Sequence, residues 1–386
     1  MRKIPEYVSR NSSRDSLTRD SEDRTPHEQD DAAPMRPRHA SLSLDSGPAG
    51  AHLLDEGHTG SIPTPARTSG RNGRNRSSGT AVWDPRNDAR MKIVSLLPSA
   101  TEIVYALGLG DQLAGVSFEC DYPEAARSVP VVSGTALGVE RRGTAAEVDA
   151  EVSAMLANGS SIYTLDDAKI RAIAPDVILA QDLCAVCAID SGAVEEALEV
   201  IGCRAQVVSL DPAGLDDVIE CVAQVGRATG TEEMAARYVE GLRRRLEVMR
   251  TRVAGIARPR VFVLEWPDPP FNGGHWMPEM VEAAGGEPVL AEVRAPSRRL
   301  TWKEVGAESI DVTIFTPCGF DLTGAVEQAA SFLRRPDLPD LGRVVAVNAN
   351  AFFSRPGPRV VDGVELLADI LHPSRPGAVS DAQVVT

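Results

Sequence analysis

Four of the chain's six cysteines, Cys120, Cys184, Cys187 and Cys318, stand in segments that follow short Val- and Ile-rich runs, and so does His275. Thiolate and imidazole suit zinc, iron–sulfur clusters and other soft metals, so these five residues are candidate metal ligands. Cys184 and Cys187 form a C-x-x-C pair ahead of a helical pattern from Ala193. A helix N-terminus there would stabilise a thiolate, which makes a redox pair their other use. Cys203 and Cys221 lie within strand and helix patterns and read as small buried hydrophobes.

The same segments carry Phe118, Tyr122, Trp266, Phe271, Trp276, Phe352 and Phe353, in a chain with only 4% aromatics. Their concentration suits a cleft for a flat, largely apolar ligand. Asp121, Gln181 and Arg355 stand beside them as candidate polar contacts. Catalytic signatures are missing: the sequence has no G-x-S-x-G, H-E-x-x-H or Walker loop, and Gly108-Leu109-Gly110 closes a helical pattern instead of opening one. Catalytic machinery is thus poorly represented, and a redox or metal-dependent activity would fall to the cysteines.

Elements must bring these segments to one edge. Strands are predicted over Lys92–Leu97, Gln112–Val116, Asp176–Ala180, Ala205–Leu210, Arg260–Leu264, Asp311–Phe315 and Val344–Val347. Helical patterns intervene at Ala100–Leu107, Ala145–Ala157, Asp167–Ile173, Ala193–Ile201 and Leu215–Ala228. Such alternation specifies α/β layers with parallel sheets, whose ligands bind beyond the carboxyl ends of the strands. A longer helix follows Thr231, read as its N-cap, with Glu232 and Glu233 in the first turn, and runs to Val253 before Gly255 and Pro259. It falls between two strand–helix series. The fold class expected is therefore α/β: two Rossmann-like lobes joined by one long backbone helix, behind a disordered N-terminal tail.

The boundaries that follow are a low-complexity tail over 1–90, an N-terminal lobe over 91–229, a bridging helix over 230–256, a C-terminal lobe over 257–375 and a tail over 376–386. Residues 1–90 are nearly neutral and poor in aromatics, so the net charge of −15 belongs almost wholly to the remainder. Acidity speaks against nucleic acid. No apolar run reaches the ~20 residues of a membrane-spanning helix. Six cysteines are too sparse for a disulfide scaffold. Asn11–Asp31 is polar where a secretory signal would be apolar, so a cytoplasmic location is expected.

Several motifs occur in a telling order: Val94-Ser95-Leu96-Leu97-Pro98-Ser99-Ala100-Thr101-Glu102, Asp121-Tyr122-Pro123, Ala174-Pro175-Asp176-Val177-Ile178, Arg260-Val261-Phe262, Pro269-Pro270-Phe271-x-x-Gly274 and Phe352-Phe353-x-Arg355-x-x-Pro358-Arg359. On these, residues 91–375 resemble the class III periplasmic solute-binding proteins, the helical-backbone metal receptors, and among them the cobalamin-binding branch. The resemblance implies a monomeric receptor that clamps cobalamin or a related metal chelate between two lobes. It further implies delivery to an ABC transporter permease, with Glu304 matching a glutamate that docks on permease arginines, and His275 as an axial ligand to the chelated metal. The chain departs from that branch in its Cys184-x-x-Cys187 loop, in Ala351 where an acid is expected, and in an insertion over Thr135–Tyr163. A Cys/His-ligated zinc or iron–sulfur protein remains the other reading.

Overall fold

The computed structural model describes residues 90–137, 144–158, 160–182, 191–373 and 380–385. Cys184 and Cys187, and the tails expected over 1–90 and 376–386 apart from residues 90 and 380–385, lie outside them.

The first sheet grows from runs of small and β-branched residues, buried almost throughout in β1, β2 and β5 and part-exposed at the edge strand β6. β1 (Ile93–Ser95), β2 (Leu113–Val116), β5 (Val177–Ala180) and β6 (Gln206–Ser209) form a parallel sheet in the order β2-β1-β5-β6. α1 (Pro98–Ala106), α3 (Asp167–Ile173), α4 (Ser191–Ile201) and α5 (Leu215–Thr229) connect it. Pro98 opens α1, where a missing N–H costs nothing, and Gly108, at φ +71°, turns the chain after it. A small antiparallel pair, β3 (Ser133–Thr135) and β4 (Tyr163–Leu165), encloses α2 (Ala145–Ala157).

α6 (Glu232–Arg252) follows α5 after Gly230, which sits at φ +69°. Its buried residues, Ala235, Val239, Leu242 and Leu246, fall at spacings of four and three and form one stripe. Thr231 is the N-cap residue of α6, as expected, but its side chain accepts no bond from the helix and instead pairs with the Thr229 hydroxyl.

The second sheet has the order β12-β11-β10-β7-β8, built from β7 (Arg260–Pro267), β8 (Pro270–Asn272), β10 (Val312–Phe315), β11 (Arg343–Val347) and β12 (Ala382–Val384), with β9 (Glu287–Pro288) against β7. β7, β10 and β11 are parallel, whereas β8 and β12 are antiparallel edges. α7 (Met277–Ala283), α8 (Trp302–Val305), α9 (Leu322–Phe332), α10 (Ala349–Phe352) and α11 (Val360–Leu371) complete this lobe. β7 runs three residues beyond the expected strand because β8 folds back and satisfies its extra backbone groups. One apolar cluster runs through both lobes, from Ile93 and Ile103 through Val222 and Leu242 to Val263, Met280 and Leu367. The molecule is thus two α/β lobes joined by one long helix.

Candidate interlobe binding site

The carboxyl ends of β1 and β2 lead to the N-lobe wall. Phe118 and Tyr122 are the exposed aromatics there, at 36% and 48%. Phe118 lies 6.1 Å from Tyr163, whose hydroxyl reaches Glu119 at 3.4 Å. On the C-lobe wall Trp266 leaves the end of β7 and lies 6.5 Å from Phe320. Phe320 sits in the loop after β10, held by the Asn350 N–H donated to its carbonyl.

The two walls meet through arginines of the segment after α10. Arg355 spans the Asp121 carboxylate and donates to the Glu119 carbonyl at 3.1 Å. Arg359 pairs bidentately with Glu102 at 2.9 and 2.5 Å, and its guanidinium lies 3.9 Å over the Tyr122 ring. The first and last motifs of the sequence are therefore the two halves of one cross-lobe clamp. Burial raises the Glu102 carboxyl above its ordinary range despite Arg359 and Arg355. Burial also acts on Asp121, but the Arg355 hydrogen bond and charge outweigh it and hold that carboxyl low.

The other expected site residues part into two groups. Phe271 and Phe352 are half-buried: the Arg299 guanidinium lies 5.5 Å from the Phe271 ring, and Phe352 is 5.9 Å from Arg359. Gln181, Trp276 and Phe353 are buried in the fold. Gln181 donates to the Leu210 carbonyl at 3.1 Å, and the Trp276 indole donates to the Phe353 carbonyl at 2.8 Å. His275 lies beyond β8, which runs back from the cleft edge; its backbone, at φ +52°, bonds Ala295 and Arg294. Burial depresses its imidazole pKa, and Nε2 is buried without a hydrogen-bond partner among the described residues.

Cys120 is 5% exposed, with the Thr101 hydroxyl 3.1 Å from its sulfur, and burial pushes its thiol up to about 11. Such a cysteine is a protonated packing group at neutral pH. Cys318 is exposed in the loop after β10. No group of three or more His, Cys, Asp or Glu side chains suited to a metal ion occurs among the described residues. Glu304 closes a capping box at the start of α8, accepting from Thr301, and pairs with Arg298 at 3.1 Å.

Local sequence patterns missed Glu102 and Arg359 as partners, and Tyr163, Phe320, Glu265 and Arg299. Glu265, near the end of β7, accepts from Ser297 at 2.5 Å, and burial raises its carboxyl to about 7. Phe320 and Glu265 stand in strand-end segments that the cleft rule singles out. The Glu102–Arg359 pair spans 257 residues and leaves no local signal.

The periplasmic binding protein family model matches residues 93–338. A vitamin B12-binding protein of Yersinia pestis (strain Pestoides F) is 26% identical over 278 residues, covering 71% of this chain and 83% of that protein. The uncharacterized ABC transporter substrate-binding lipoprotein YvrC of Bacillus subtilis (strain 168) is 26% identical over 293 residues, covering 73% and 80%. Among solved structures, a periplasmic heme-binding protein from Pseudomonas aeruginosa has the same fold at a TM-score of 0.56 and 17% identity, covering 76% of this chain and 97% of that one. These findings overturn the cytoplasmic expectation, since the matched proteins are periplasmic or lipoprotein receptors. That expectation rested on the composition of Asn11–Asp31, outside the segment that the family model matches.

Proposed function

This chain belongs to the periplasmic binding protein family, whose members are solute receptors and not enzymes, and from that premise we propose that it is the substrate-binding component of an ABC transporter for a cobalamin-like or heme-like metal chelate. The observation that carries the reading is the meeting of Asp121 and Tyr122 from one lobe with Phe352, Arg355 and Arg359 from the other. Together with Phe118, Trp266, Phe271 and Phe320 they offer aromatic faces for a macrocycle and charged groups for its polar rim. A vitamin B12-binding relative and heme-binding proteins of the same fold favour this ligand class. Glu304 is proposed to contact the permease, where its 43% exposed carboxylate would be shared with Arg298.

Cyanocobalamin and hemin, each titrated into the purified full chain, test the reading through their absorption spectra. Saturable binding of one of them at a 1:1 ratio is expected, with Trp266→Ala and Tyr122→Ala each weakening it by roughly 10-fold or more, the usual cost of truncating an aromatic anchor. Absence of binding by both probes would sink it.

A further inference from the structure

α2 is held where no core demands it. None of its residues is buried, although a capping box between Thr144 and Glu147 fixes its start. Ala145, Val148, Asp149, Val152 and Met155 are its half-buried positions along with Glu151, and the spacing of those five sets them on one face. From the other lobe, Trp266 donates its indole N–H to the Ala145 carbonyl at 3.2 Å. Arg299 grips both oxygens of Asp149 at 3.1 and 2.9 Å while its guanidinium rests 5.5 Å from the Phe271 ring. The Asp149 side chain is 20% exposed and that of Arg299 53%.

We propose that α2 is a latch across the interlobe cleft, closed by Arg299–Asp149 and Trp266–Ala145 and opened each time a ligand enters or leaves. The proposal rests on the binding reading above, because Trp266 and Phe271 are both proposed ligand contacts and the anchors of the latch. A chelate reaches the face of either ring only while α2 is displaced, and α2 closes again whether the cleft is occupied or empty. The contacts suit reversible use: they are polar, they couple a C-lobe edge to an element outside the N-lobe core, and one partner of the ion pair is half in water, where such pairs are weak. The Arg359–Glu102 clamp has the opposite character, its side chains being only 17% and 4% exposed. A latch of this kind sets rates more than affinity, since opening it speeds entry and exit alike.

Arg299→Ala and Asp149→Asn in the full chain test this with two independent readouts. Without ligand, amide hydrogen exchange across Ala145–Ala157 is expected to quicken severalfold in either variant while that of β5 and β10 stays unchanged. With cyanocobalamin or hemin in stopped flow, association and dissociation rates should rise together and the ratio should change little. The swapped pair, Arg299→Asp with Asp149→Arg, should restore slow exchange. Unchanged exchange of α2 in both single variants overturns the latch. If neither probe binds the unmodified protein, the binding reading fails, and the exchange result alone decides the latch.

Discussion

At the scale of single residues, two carboxyls that burial pushes above their ordinary range have opposite meanings. Glu102 is 4% exposed at its side chain and balanced by Arg359 at 17%, so removing either strands the other. Glu102→Ala and Arg359→Ala should each cost about 3–5 kcal/mol in urea unfolding, the range for breaking a buried pair from one side. A loss under about 1 kcal/mol would show that water reaches the clamp. Glu265 has a serine for a partner and no cation among the described residues, and its carboxyl is raised from 4.5 to about 7. Below its ordinary range it is protonated in both folded and unfolded chains and contributes no difference. As pH rises from about 4.5 through 7, the unfolded chain releases the proton first, so stability declines by up to ~3 kcal/mol and stays lower above that window. Glu265→Gln should therefore be more stable than the parent at pH 8 and equal to it near pH 4.5. Parallel unfolding curves at the two pH values would reject the assignment.

At the scale of elements, the α5–α6 hairpin is where lobes and backbone helix join. A Cβ on Gly226 would stand 2.5 Å from that of Ala235, closer than packed carbons allow. Gly226→Ala gains about 1 kcal/mol of helix propensity but must push the helices apart. A net destabilisation of ~1–3 kcal/mol is expected in thermal or urea unfolding; a stabilised variant would mean the hairpin accommodates the methyl freely. The long helix was legible in the sequence from the acidic first turn of Glu232 and Glu233 and from the stop at Gly255 and Pro259. The direction of the Thr231 hydroxyl at the N-cap was not, because a threonine before a helix carries the same letter whether its hydroxyl faces the helix or its neighbour Thr229.

At the scale of the whole molecule, one apolar cluster crosses from the N-lobe sheet through α5 and α6 to α7 and α11. Lobes that share a core should unfold together. Three of the four tryptophans, Trp266, Trp276 and Trp302, belong to the C lobe, so in a Trp83→Phe variant the emission follows that lobe, whereas far-UV circular dichroism follows both. The two signals should give one coincident transition in urea. Two separated midpoints would mean that the shared cluster fails to couple the lobes.

The seven principal strands, the N-lobe helices and the place of the long helix were set by local pattern, because burial on both faces of a parallel strand and on one stripe of a helix writes a periodic signal into consecutive residues, whereas the short strands β3, β4, β8, β9 and β12 and the helices α7–α11 of the C lobe were not read from it. Residue type also nominated the cleft aromatics. Which of them remain available was decided only by tertiary contacts: Phe118 and Tyr122 stay exposed and Trp266 half-buried, while Trp276 and Phe353 bond each other in the core. The cysteines show the same division. Cys120 stands in a cleft segment by sequence, yet its side chain turns inward to Thr101. Pairings such as Glu102–Arg359 and Asp149–Arg299 join residues 257 and 150 positions apart. No periodicity links such residues, so only the folded chain, which brings two lobes face to face, decides them.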